Sequence, residues 1–163
     1  MENSSRAATP TLYPLQTAPL ALLTAVLDTP HHVGITPAGE RKVVPVIGGR
    51  IEGHRLSGDI LPGGSDWAIT NSEGILELDV RLVIRTDDGA LINCLYTGVR
   101  HGTPEVMAQL AAGEAVDYRE FYFRIAPRFD TADARYNWLN GMLTVGIGER
   151  LPAGPRYHIH EIC

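Results

Sequence analysis

A chain of 163 residues with 44% hydrophobic and 20% charged content is expected to form one globular domain, with a core large enough to need no staples. Its net charge of −5 argues against nucleic acid or an anionic membrane surface as a partner. Two cysteines, Cys94 and Cys163, make no disulfide framework, so a reduced, cytoplasmic protein is the expectation.

Residues 1–10 (MENSSRAATP) are small and polar, an expected disordered lead-in to a single domain over 11–163. The apolar run APLALLTAVL, 18–27, is open between helix and strand: Ala and Leu favour helix, whereas TAVL before DTP suits a strand. Its length fits a signal-peptide core, but it starts late, the single preceding Arg is offset by Glu2, and it is too short to span a bilayer. KVVPVI, 42–47, reads as a strand whose Pro45 marks an edge or a bulge. The next segment, GGRIEGHRLSGDILPGGSDW, carries six glycines in twenty residues and is expected to bend or break the sheet.

ELDVRLVIRTDDG, 77–89, alternates Leu78, Val80, Leu82 and Ile84 with Glu77, Asp79, Arg81, Val83 and Arg85. This is a strand with one apolar and one charged face, followed by a tight turn. LINCLYT, 91–97, supplies the second arm of a hairpin. TPEVMAQLAA, 103–112, is the one credible helix, with Thr103 as cap, Pro104 in the first turn and Gly113 as stop. YREFYFRIA, 118–126, is an aromatic-rich strand, Tyr136 to Arg150 a long strand interrupted by Gly141, Gly146 and Gly148, and Tyr157 to Ile162 the last strand. Eight or nine short strands with one helix point to an all-β fold, an antiparallel barrel in which closure hides the strand edges.

LPGGSDW, RTDDG and YNWLN, together with FYFRIAPRFDT and VGIGER, resemble the DUF3237 family, also called UPF0311. The resemblance runs in order from about residue 12 to the C-terminus. It implies a compact up-and-down barrel, similar to calycin-like barrels and to the allene oxide cyclase type of chamber. It implies no established catalytic residue, because the family is named for an unknown function. His54, where proline is expected, and the HIHEIC ending depart from its pattern.

Whether the charged face of 77–85 meets water or lines a chamber decides the site. Alternation with charges ordinarily means polar-out. Two further expected strands place polar and aromatic residues on one parity: Tyr118, Glu120, Tyr122 and Arg124, then Tyr136, Trp138, Asn140 and Thr144. Aromatics beside arginine and carboxylate suit a ligand pocket. The charged face is therefore expected inside, with Asp79 or Asp66 as proton-transfer carboxylate. Arg85, Arg124 and Tyr122 would stabilise negative charge, Arg81, Trp138 and Asn140 would bind substrate, and Glu52, His54 and Asp66 would lie at or near the mouth. Asp79 should be ion-paired with an arginine, since an unpaired buried charge is costly. The opposite stripes, Leu78 to Ile84 and Phe121 to Ile125, would pack a core or the interface of a homodimer or higher oligomer.

His158 and His160 share a strand face at a spacing that can hold zinc, with His101 as a conceivable third ligand, but exposed histidines are the commoner explanation and no metal is expected. His31 and His32 read as solvent-facing. Phosphate-loop, nucleophile-elbow and dinucleotide signatures are missing from the sequence. The function expected is a cofactor-independent lyase or isomerase acting by acid–base catalysis on an amphipathic or aromatic small molecule. The alternative is a noncatalytic small-ligand carrier.

Overall fold

The computed structural model describes residues 10–163; the expected disordered lead-in lies almost wholly outside them. Ten strands form one sheet: β1 Thr17–Leu27, β2 His31–Thr36, β3 Gly39–Glu52, β4 Gly58–Ile60, β5 Gly64–Thr70, β6 Leu76–Thr86, β7 Leu91–His101, β8 Tyr122–Asp130, β9 Thr144–Leu151 and β10 Gly154–Ile162. Strands β6 to β10 are a continuous antiparallel meander. Strand β1 then pairs β10 along one edge and β3 along the other, while β3 pairs β5, and β5 pairs β6. The sheet thus closes into an eight-strand barrel, with β2 and the short β4 as additions. The apolar run 18–27, left open between helix and strand, is the strand that closes the barrel.

Pro45 fits within β3 because it falls in a gap. Pairing with β2 ends at Val43 and pairing with β1 starts at Val46. On that side its carbonyl accepts from the Asp28 N–H at 3.0 Å, and no neighbour there needs the N–H that proline lacks. The register jumps across Ile47, a bulge next to the proline. The helix α1, Pro104–Ala111, begins as its sequence predicts: the Thr103 hydroxyl accepts from the Val106 N–H at 3.4 Å, and Gly113 ends it at φ +77°.

Two expected strands differ. Tyr118 and Glu120 precede β8; Asp117 takes the Arg119 N–H at 2.9 Å and the Arg119 Nε at 3.0 Å, so this stretch turns instead of extending. Residues Ala134–Gly141 form a 3-10 helix, so Tyr136, Trp138 and Asn140 share no strand face. Asp133 caps that helix by accepting from the Arg135 N–H at 3.0 Å. Asn140 ties it back by bonding both the N–H and the carbonyl of Thr131, at 2.9 and 3.0 Å. The Asp-Ala-Arg cap outweighs the alternating pattern.

The interior is continuous and apolar. Leu78, Val80, Leu82 and Ile84 of β6 are buried, as are Phe121, Phe123 and Ile125. These stripes therefore fill the core, and the proposed role for them in a subunit interface does not hold. At one end Ile51, Leu56, Ile84, Ile92 and Leu139 are all at most 1% exposed. The other end is different, and it holds the site.

Gly49 is where β3 crosses β1 at close range. Its φ is +135°, and an added Cβ would stand 2.2 Å from the Thr24 carbonyl oxygen. Gly49→Ala should cost roughly 3 kcal/mol or more in urea unfolding, through strain and clash together. A loss below about 1 kcal/mol, no more than an average point substitution costs, would contradict this account of barrel closure.

Candidate active site

The half of the barrel near the start of β6 and the end of β7 is hollow. A cavity of about 570 Å³ opens there, walled by Leu76, Leu78, Val80 and Phe123 and flanked by Met107 and Leu110 of α1. This size is ordinary for a small-molecule site. Five strands each deliver one polar side chain into it: Lys42 from β3, Asp66 from β5, Arg100 from β7, Arg150 from β9 and Tyr157 from β10, with Tyr96 also from β7. All sit on the inward parity of their strands. Lys42 continues the series of Val44 and Val46; Arg100 continues that of Ile92, Cys94 and Tyr96. Asp28 stands at the rim, exposed, where its Oδ1 accepts from the Thr29 N–H at 2.7 Å.

Asp66 is held by the sheet itself. The β5–β6 ladder skips Trp67 and Ala68, and the Asp79 N–H donates to Asp66 Oδ1 at 3.1 Å. Burial pushes the Asp66 carboxyl up to about 6, against the pull of that N–H and of the nearby Lys42 and Arg100. Burial also lowers Lys42, assisted by repulsion from Arg100, and lowers Arg100, assisted by repulsion from Arg150. The phenols of Tyr96 and Tyr157 are both pushed well up by burial and remain protonated donors. Their rings meet edge-to-face at 5.4 Å. A carboxyl that titrates near neutrality beside fixed cations can both take and return a proton.

The structure separates the residues expected to form the chamber. The charged parity of β6 faces outward: Asp79 and Arg81 are 54% and 76% exposed, at 3.9 Å from each other. Asp79 is thus paired with an arginine as expected, but in solvent. With Arg124 they border an open trough on the outer sheet, where Trp67 is 51% exposed. Arg85 is exposed on the same outer face, toward the closed end. Tyr122 also points out, stacked on His101 at 5.0 Å and lying under Arg124 at 4.9 Å. Glu52 and His54 are exposed at the packed end, not at the mouth. Trp138 lies under Arg55 at 4.3 Å, and Asn140 is occupied by Thr131 and Asn137. The physical reason is polar-out alternation on a barrel whose interior is a core. Of the expected set, Asp66 alone enters the chamber. His158 Nε2 meets Glu149 Oε1 at 2.9 Å, and no three metal-ligating side chains gather among the described residues.

Asp66 should make stability depend on pH. Its folded-state pKa lies above the unfolded value near 4, so the native state holds the proton longer, and stability falls as pH rises from about 4 to about 6. The cost then persists above that window, at about 3 kcal/mol. Asp66→Asn keeps an acceptor for the Asp79 N–H and removes the charge. The variant should gain about 2–3 kcal/mol on the wild type between pH 4 and pH 7 in urea unfolding. A stability difference that stays constant across that window would contradict the burial of this carboxyl.

Along nearly its whole length the chain is similar to a UPF0311 protein of Rhodopseudomonas palustris, 34% identical over 154 residues, which cover 94% of this chain and 99% of that protein. The crystal structure of that Rhodopseudomonas palustris protein, described as of unknown function, covers 96% of this chain and 100% of its own with a TM-score of 0.86 at 33% identity. A crystal structure of a beta-barrel like protein from Acinetobacter baumannii is 38% identical with a TM-score of 0.81, over 95% of this chain and 100% of that one. One described as an enzyme from Penicillium herquei has a TM-score of 0.72 over 96% and 100%, and at 20% identity it shows a shared fold. The DUF3237 family, described as a protein of unknown function, matches residues 15–162, and the chain belongs to that family.

Proposed function

We propose that the protein is a cofactor-independent enzyme of lyase or isomerase type, with Asp66 moving protons on a small molecule held inside the barrel. The observation that supports this most directly is a carboxyl raised to about 6 that shares a cavity with three cationic side chains and two phenols. Ionised Asp66 would take a proton next to a substrate carbonyl. The charge that develops on the carbonyl oxygen would fall among Lys42, Arg100 and Arg150, in a site that water enters from one end. Protonated Asp66 would then return the proton at another atom, or to a departing oxygen. Dehydration, double-bond isomerisation, hydration and cyclisation all use this proton relay.

A carrier of an apolar ligand needs one or two orienting groups. Four ionisable side chains within one cavity exceed that need, and each is costly to bury. The neighbour described as an enzyme from Penicillium herquei supports catalysis as a use to which this barrel has been put.

The α-protons of 2-tetralone provide a probe. In buffered D2O near neutrality the wild type should accelerate their exchange, followed by NMR, and Asp66→Asn should lose about 100-fold or more of that acceleration, the usual scale for general-base removal. Asp79→Asn, on the outer face, should match the wild type. Equal exchange in wild type and Asp66→Asn, or loss in Asp79→Asn alone, would overturn the assignment.

A further inference from the structure

The chamber is electrostatically incomplete. Lys42, Arg100 and Arg150 face a single interior carboxylate, Asp66, with Asp28 out at the rim. Among the described residues none of the three cations makes an ion pair, whereas surface arginines such as Arg50, Arg119 and Arg135 all do. Enclosed charges are ordinarily paired, and these three are not.

A second observation is independent of charge. Among the described residues, the buried side-chain polar atoms without a partner in good hydrogen-bond geometry are Arg100 Nε and the Tyr157 hydroxyl, whose one close polar neighbour is the Tyr96 phenol. Both residues line this one cavity. Tyr157 is 0% exposed, so its hydroxyl sits at the inner wall of the cavity, away from bulk solvent. Arg100 leans over the Phe123 ring, 5.5 Å from its centroid, which fixes the guanidinium without satisfying its N–H groups. Buried donors left unpartnered are costly, and native proteins retain few of them without a use.

We propose that the chamber binds an organic carboxylate with an apolar body, clamped by Arg100 and Arg150 and completed by the Tyr157 hydroxyl. This rests on the chamber reading above and adds the substrate class. Guanidinium and phenol groups are donors suited to oxygen anions. Leu76, Leu78, Val80 and Phe123 supply the apolar wall for the remainder of the molecule. A carboxylate offsets the interior charge before any reaction takes place, and Asp66 stays free to act on a second position of the same molecule. An aliphatic or aromatic acid carrying a carbonyl group combines both requirements.

Calorimetric titration of the full chain with three probes of one shape tests this: 2-naphthoate, naphthalene-2-carboxamide and 2-naphthol. Near neutral pH the naphthoate should bind at least about tenfold more tightly than the other two, equivalent to about 1.4 kcal/mol. Arg100→Gln should erase that preference, and Arg150→Gln should do the same if Arg100→Gln fails to fold by circular dichroism. Asp66→Asn should strengthen naphthoate binding by removing the one opposing charge, even though it abolishes tetralone exchange. Binding and exchange thus fail separately. Equal affinity for acid and amide, tighter binding of the naphthol, no binding of any probe, or a preference that survives in a folded Arg100→Gln or Arg150→Gln protein overturns the carboxylate assignment.

Discussion

Closure of the sheet by β1 is the constraint on which the rest of the molecule depends. Residues 22–24 bond Glu52–Arg50 on one side and His158–Arg156 on the other. Once that seam exists, every strand has an inside, and alternate residues must meet either a core or a cavity. Gly49 and Gly154 permit the close approach, since a Cβ on either would stand 2.2 Å from a β1 carbonyl oxygen. The same closure makes the placement of each ionisable group energetically decisive. A charge on the outer parity is solvated, and one on the inner parity is not.

The barrel uses its two ends for different purposes. One is packed with Ile51, Leu56, Ile84, Ile92 and Leu139, and the 3-10 helix containing Leu139 lies there. That end supplies apolar burial and sets the register. The other gives up packing for a cavity and carries Lys42, Asp66, Arg100 and Arg150. Desolvated and unpaired charges oppose folding, so the stability of the packed end supports the strained electrostatics of the hollow one. Such a trade of stability for a polarised site is common where chemistry or binding takes place.

Much of the fold can be read from the chain. The β6–β7 hairpin follows from strict alternation and the Asp87–Gly89 turn, and α1 follows from Thr103, Pro104 and Gly113. The site was less accessible for a specific reason. Its charged residues do not form a stripe; each is a single polar side chain that interrupts an apolar one. Lys42 leads into Val44 and Val46, and Arg100 closes the series Ile92, Cys94, Tyr96. A lone charge on the buried parity at a strand end is the signal that could have found them. The conspicuous stripe Glu77–Arg85 was conspicuous because it is solvated. Parity with Tyr118, Tyr136, Trp138 and Asn140 points that stripe inward only if those residues extend, and none of them lies on a strand. Asp66 is legible as a candidate carboxylate, but its inward direction depends on the interrupted β5–β6 ladder, which no local pattern reveals.

The central claim is that Asp66 is a chamber carboxyl whose proton affinity is raised by burial and restrained by the cations around it. Carboxyl-carbon NMR of the Asp66 side chain, followed from pH 3 to pH 8 in the wild type and in Arg100→Gln, measures this directly. The account predicts a midpoint near 6 in the wild type and a higher one in Arg100→Gln, because removing the guanidinium removes a charge that favours the ionised form. A wild-type midpoint near 4, the ordinary aspartate value, or a midpoint unmoved by Arg100→Gln would contradict it.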